Sequence, residues 1–147
     1  GAAPSRAGSM TRGELEHVIR AACGIAEDDE LIIIGSQAIL GQFPDAPAEL
    51  LTSNEADVFP KNRPERAELI EGSIGELSMF HETFGYYADG VDDTTATLPD
   101  GWRERLVPIK GPGTAGNTGW ALAVHDLLIS KYVANRPKDR RFCRALP

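Results

Sequence analysis

Leu31–Pro60 reads LIIIGSQAILGQFPDAPAELLTSNEADVFP, and the order of its parts decides the fold. Leu31, Ile32, Ile33 and Ile34 make a short apolar run between an acidic loop and a glycine, the pattern of a buried strand. Gly35-Ser36 follows directly, and Gln37-Ala38-Ile39-Leu40 can start a helix. A strand feeding a Gly-Ser turn and a helix start gathers unpaired backbone N–H groups and a hydroxyl, which together suit an anion. Further on stands Glu55-Ala56-Asp57-Val58-Phe59. In an extended strand residues i and i+2 share a face, so Glu55 and Asp57 present two carboxylates side by side. Such a pair repels itself unless a cation lies between, and Mg²⁺ is the usual partner of hard oxygen ligands.

Upstream, Thr11 with Glu14 three residues later is a capping-box pattern. It opens an amphipathic helix through Leu15, Val18, Ile19 and Ala22, closed by Gly24. His17, beside Glu16, is expected in solvent, and Ala26–Glu30 is expected to be a solvated acidic turn. Residues 1–9 lack the apolar core of a signal peptide and read as an expression-tag remnant ahead of Met10.

Downstream, Pro44 and Pro47 stop any helix, Ala48–Leu51 forms a brief turn, and Pro60 ends the acidic strand. Pro64 suits the first turn of a second helix, Glu65 to about Glu71. Gly72–Ser78 reads as a loop, and the aromatic residues of Thr83–Asp89 favour a third strand. In that strand Tyr86 and Tyr87 point to opposite faces, one into the core and the other free to stack on a base. His81 is either a structural residue at the strand edge or a base acting on substrate. Trp102 anchors a turn, Leu106–Ile109 and Trp120–Val124 form a hairpin, and Lys110–Gly119 between them lacks the P-loop pattern. A helix then begins near Asp126, with Leu127, Leu128, Tyr132 and Val133 as its apolar stripe, until Pro137 breaks it and Lys138 starts another.

At 147 residues the chain supports one domain with a real core. Apolar residues at 41% and charged residues at 25% are ordinary for a globular protein, and no apolar run reaches membrane-span length. The net charge of −7 argues against a generic nucleic-acid binder. Yet Lys131, Arg136, Lys138, Arg140, Arg141 and Arg144 cluster late in the chain, where an RNA could dock. Cys23 and Cys143 have no zinc-like spacing and are expected to be reduced thiols.

The strand–Gly35-Ser36–helix unit followed by Glu55-x-Asp57 resembles the nucleotidyltransferase superfamily. Within it the chain resembles small bacterial proteins grouped with the abortive-infection toxins of type IV toxin–antitoxin systems. The segments GSIGELSMFHETFGYYADGV and HDLLISKYVANRPKDRRF carry the same likeness, which covers about Leu31 to Leu146. Two features depart from the pattern. Glu55 stands where the superfamily has Asp, and Gln37-Ala38-Ile39-Leu40 stands where toxin-like members often carry a basic residue.

The resemblance implies an α+β fold, a mixed β-sheet flanked by helices, as a single domain over 10–147 that is either cut short at its C-terminus or a short form. It implies that Gly35 and Ser36 hold the β- and γ-phosphates of a nucleoside triphosphate, and that Glu55 and Asp57 bind catalytic Mg²⁺. A third carboxylate comes from a neighbouring strand. Asp89 is the best-placed residue for it, with Asp92 as rival and a plain turn role as the alternative. Lys131 would reach nucleotide phosphates, where its own helix suggests a plain surface lysine; Asp139 either pairs with Arg136 or Lys131 and orients the basic groups or makes an ordinary surface salt bridge. The implied acceptor is tRNA, a protein or a small molecule, the implied partner an antitoxin, and the implied location the cytoplasm. The rival reading is a catalytically weak or inactive nucleotide-binding or protein-interaction module on the same fold. A metal-dependent phosphohydrolase has less support, since His-Asp ligand clusters are missing.

Overall fold

A computed structural model describes residues 10–47 and 53–134. Helix α1 (Arg12–Ala26) starts at the expected capping box: the Thr11 hydroxyl accepts from the Glu14 N–H at 3.1 Å, and Glu14 accepts from the Thr11 N–H at 2.9 Å. It buries Leu15, Val18, Ile19, Ala22, Cys23 and Ala26, and it ends with Glu27 in the left-handed region. Thr11→Ala removes one side of the box and should cost about 1 kcal/mol. Thermal melting should then fall by about 3 °C; an unchanged melting temperature would mean that tertiary packing alone holds this end.

Strand β1 (Glu30–Ile33) follows, then a single 3₁₀ segment over Ser36–Gly41 where the sequence predicted a helix start. Strand β2 (Glu55–Pro60) carries the acid pair. A 3₁₀ turn at Pro64–Arg66 leads into α2 (Ala67–Ile74). Helix α3 (Met79–Phe84), β3 (Tyr87–Gly90), β4 (Val107–Ile109), β5 (Thr118–Ala121) and α4 (Val124–Ala134) complete the described chain. The five strands form one mixed sheet in the order β3-β2-β1-β5-β4. β1 is antiparallel to β2 and parallel to β5, β2 is parallel to β3, and β4 is antiparallel to β5. The α+β class read from the sequence is the class observed.

The centre of the sheet explains the unbroken apolar run. Leu31 and Ile33 face α1 together with Ala56, Val58 and Ala88, while Ile32 and Ile34 face the other side with Phe59 and Trp120. Both faces of β1 are covered, so no polar alternation is needed. β2 is different: Ala56 and Val58 face the core, which turns Glu55 and Asp57 to the opposite side.

Four local expectations are corrected. Residues 83 and 84 are helical, because Ser78 caps α3 through its hydroxyl and Gly85 ends it at φ 82°, leaving a strand of only Tyr87–Gly90. Helix α2 runs through Gly72 to Ile74 because Ile70 and Ile74 are buried against the core. His17 is not solvated: its Nδ1 lies 2.6 Å from the Tyr86 hydroxyl and its ring packs on Phe80 and Phe84, and this burial, then the Arg20 charge, lowers its pKa. Asp28 is not a solvated turn residue either. It is buried and accepts from the backbone N–H of Glu30, Asn62 and Arg63 and from the Asn62 amide, joining the start of β1 to the end of β2. Of the α4 stripe only Leu127 is deeply buried, with Tyr132 and Val133 exposed. Cys23 is buried as a free thiol, and its burial pushes the pKa up to about 12. The turn expected at Ala48–Leu51, Cys143, and the basic cluster from Arg136 to Arg144 with Asp139 lie outside the described residues.

Candidate active site

The pairing of β2 with β3 assembles the acids. In this parallel register Asp57 stands opposite Asp89 and Glu55 opposite Tyr87. Since alternate residues share a face, Glu55, Asp57, Tyr87 and Asp89 all project to the side away from α1. One carboxylate oxygen from each of Glu55, Asp57 and Asp89 lies within 4.8 Å of the others, a spacing that could hold a metal ion. Asp92 is not among them. Its carboxylate accepts from the Thr94 N–H at 2.8 Å and from the Thr94 hydroxyl, which lowers its pKa and commits it to a local turn.

The cluster is strained by its own charge. Burial, then a hydrogen bond with Glu55 and the charges of Glu55 and Asp89, push Asp57 up to about 8, with Lys131 pulling the other way. Asp89 is pushed up to about 7, first by a hydrogen bond with the Glu71 carboxyl, then by burial and by the charges of Glu55, Glu71 and Glu76. Asp57 Oδ1 is buried and has no hydrogen-bond partner among the described residues. An orphaned carboxylate oxygen among half-buried acids is costly unless a proton or a cation satisfies it. The donor set, all carboxylate oxygen, suits a hard divalent cation.

Gly35 is fixed here by contact rather than by backbone conformation. A Cβ on it would stand 2.6 Å from Asp57 Oδ2, so only glycine lets the β1 turn pass over that carboxylate. Ser36 is half-buried at the start of the 3₁₀ segment. A cavity of about 320 Å³ opens beside them, lined by Gly35, Asp57, Thr95, Thr97, Ser130 and Lys131 among others. Lys131 reaches it from α4, whose first turn is held by Arg105: the guanidinium donates to the fully buried Asp126 carboxylate at 2.8 and 2.9 Å. The structure thus gathers Gly35, Asp57 and Lys131 around one cavity and joins Glu55 and Asp89 to it through the acid cluster. A larger cleft of about 460 Å³ lies by Cys23, Asp28 and Asn62, but the Asp28 carboxylate lining it is already committed to hydrogen bonds.

Sequence reasoning missed three residues around the acids. The Tyr87 hydroxyl lies 2.9 Å from Glu55 Oε2 and 3.0 Å from Glu76 Oε2. Burial and those two carboxylates raise its pKa, so the phenol stays a donor. Its position two residues before Asp89 was the available signal. Glu71 and Glu76 had no such signal: Glu71 meets Asp89 only because α2 packs on β3, and Glu76 lies in the turn between α2 and α3. His81 belongs to α3, accepts from the Leu77 N–H at 3.0 Å and lies over the Tyr87 ring.

A mixed sheet that sets a Gly-Ser turn against three carboxylates on adjacent strands is the arrangement that the resemblance to nucleotidyltransferases implies. Residues 14–145 match the family described as nucleotidyltransferase of unknown function (DUF6036), and the chain belongs to that family. The comparison with curated proteins gives no match, and neither does the comparison with solved structures. Among the described residues no helix is long and apolar enough to cross a membrane.

Proposed function

We propose that the protein moves a nucleoside monophosphate from a nucleoside triphosphate to an acceptor hydroxyl, releasing pyrophosphate. The observation that carries this reading is the orphaned Asp57 oxygen, buried in a three-carboxylate cluster at the wall of a cavity that also holds a lysine. Glu55, Asp57 and Asp89 would hold Mg²⁺, which when bound supplies positive charge to the reacting phosphate oxygens. Gly35 and Ser36 bring backbone and hydroxyl to the triphosphate, and Lys131 offsets its negative charge from α4. The resemblance to abortive-infection toxins extends the proposal to a cytoplasmic protein with tRNA, a protein or a small molecule as acceptor and an antitoxin as partner.

Calorimetric titration of the four nucleoside triphosphates, with and without Mg²⁺, tests the reading. We expect binding that needs the cation and is lost in Glu55→Ala/Asp57→Ala. The pH dependence has a definite sign. Asp57 and Asp89 hold protons up to about 8 and about 7, so a cation must displace them. Cation affinity should therefore rise between pH 6 and pH 8, with proton release that shrinks above about pH 8. Absence of triphosphate binding in the folded full chain would leave the interaction-module reading instead.

A further inference from the structure

Glu55 has one more torsion than an aspartate, yet its carboxylate shares the cluster with Asp57 and Asp89. Something must restrain it. Tyr87 stands directly opposite on β3, and its hydroxyl donates to Glu55 Oε2 at 2.9 Å. The ring is 8% exposed and is covered by His81 at a centroid distance of 4.5 Å, so the phenol itself has little freedom. Behind it Glu76 Oε2 lies 3.0 Å from the same hydroxyl. A phenol has one proton and cannot serve both carboxylates at once.

We propose that Tyr87, its ring held under His81, is the positioning residue that aims the Glu55 carboxylate into the cation site and offsets its extra methylene. The inference rests on the metal-site reading above. The hydrogen bond holds Glu55 among its neighbours before a cation arrives. The other Glu55 oxygen is left for the cation, so the phenol keeps its hydrogen bond to Oε2 once the site is loaded. Tyr87 touches neither phosphate nor acceptor in this scheme, and its effect is on the readiness of Glu55.

The test is Mn²⁺ and Mg²⁺ binding to the full chain, by electron paramagnetic resonance and calorimetry, with no nucleotide present. Tyr87→Phe keeps the ring under His81 and removes only the hydroxyl. It should weaken cation binding by about 10- to 100-fold, the usual effect of removing a group that orients a ligand. Because the shorter Asp needs no such restraint, the same change in a Glu55→Asp background should alter affinity by less than about 3-fold. That coupling separates positioning from general loosening of the fold. His81→Ala uncovers the Tyr87 ring while keeping its hydroxyl, and should weaken binding by about 3- to 10-fold with Glu55 in place and by less than about 3-fold in Glu55→Asp. It serves as the deciding variant if Tyr87→Phe does not fold. Wild-type affinity in Tyr87→Phe, or an equal loss in both backgrounds, overturns the inference. Asp57→Asn is run alongside. If wild type binds no cation, the metal-site reading falls with it. If wild type binds and Asp57→Asn does not, an unaffected Tyr87→Phe overturns the positioning role alone.

Discussion

Asp57→Asn should weaken cation binding by more than about 100-fold and, without cation, stabilise the fold at pH 8 by about 1–2 kcal/mol. The two effects share one cause. Asp57 is largely buried, has an oxygen without a hydrogen-bond partner among the described residues, and sits beside Glu55 and Asp89. Its pKa is raised from 3.8 to about 8, so between those values the native state binds more protons than the unfolded chain. Stability from this group is then fully present below 3.8 and is lost as pH rises through about 8. An uncharged amide of the same shape removes that penalty but cannot ligate a hard cation well. At pH 5, where the folded Asp57 already carries its proton, the gap between the variant and wild type should narrow, and it should close only below 3.8. Melting curves with a chelator at pH 5 and pH 8 read the effect directly, about 3–6 °C at the higher pH. An Asn variant that melts below wild type at pH 8 would show that charge crowding is not what burdens this residue.

Gly35→Ala is expected to damage the same centre from the other side. The new methyl would lie 2.6 Å from Asp57 Oδ2 and 3.0 Å from its Cγ. Either the carboxylate turns away or the β1 turn lifts from the sheet, and each outcome separates the turn from the acids. Overpacking of this kind costs about 1–3 kcal/mol, and the displaced carboxylate should lose about 10- to 100-fold in cation affinity. Gly13→Ala in α1 is the control. Nothing lies within 4 Å of its added methyl, so it should leave affinity unchanged. Calorimetry on both variants decides the point, and equal affinities would mean that the Asp57 side chain can move freely without loss.

Much of this centre is legible in the sequence. The apolar run at Leu31–Ile34 and the i,i+2 spacing of Glu55 and Asp57 fix faces by periodicity alone. Asp89 rather than Asp92 joins the cluster, as expected of the residue at the end of a strand. Propensity points the wrong way at Thr83 and Phe84: Phe84 and Tyr86 favour strands in isolation, but here they and Phe80 surround His17 on α1, and the Ser78 and Gly85 caps make room for a short helix. Glu71, Glu76 and Asp28 could not be read, because their importance comes from which elements pack together. A carboxylate on a helix or in a turn looks the same in sequence whether it faces water or another acid.

Asp28 has a consequence far from where it sits. A slip of β2 by one residue along β1 would turn Ala56 and Val58 outward and drive Glu55 and Asp57 into the apolar core. The link between the two strands is long and cannot forbid such a slip by its own length. The Asp28 carboxylate opposes it, because it accepts from the Asn62 and Arg63 N–H groups in the register that sets Val58 opposite Ile33, and a slip would carry both away from it. A misaligned chain would break those bonds together at one buried oxygen pair. The residue that keeps the acids on the right side of the sheet therefore lies at the opposite end of the strand that carries them.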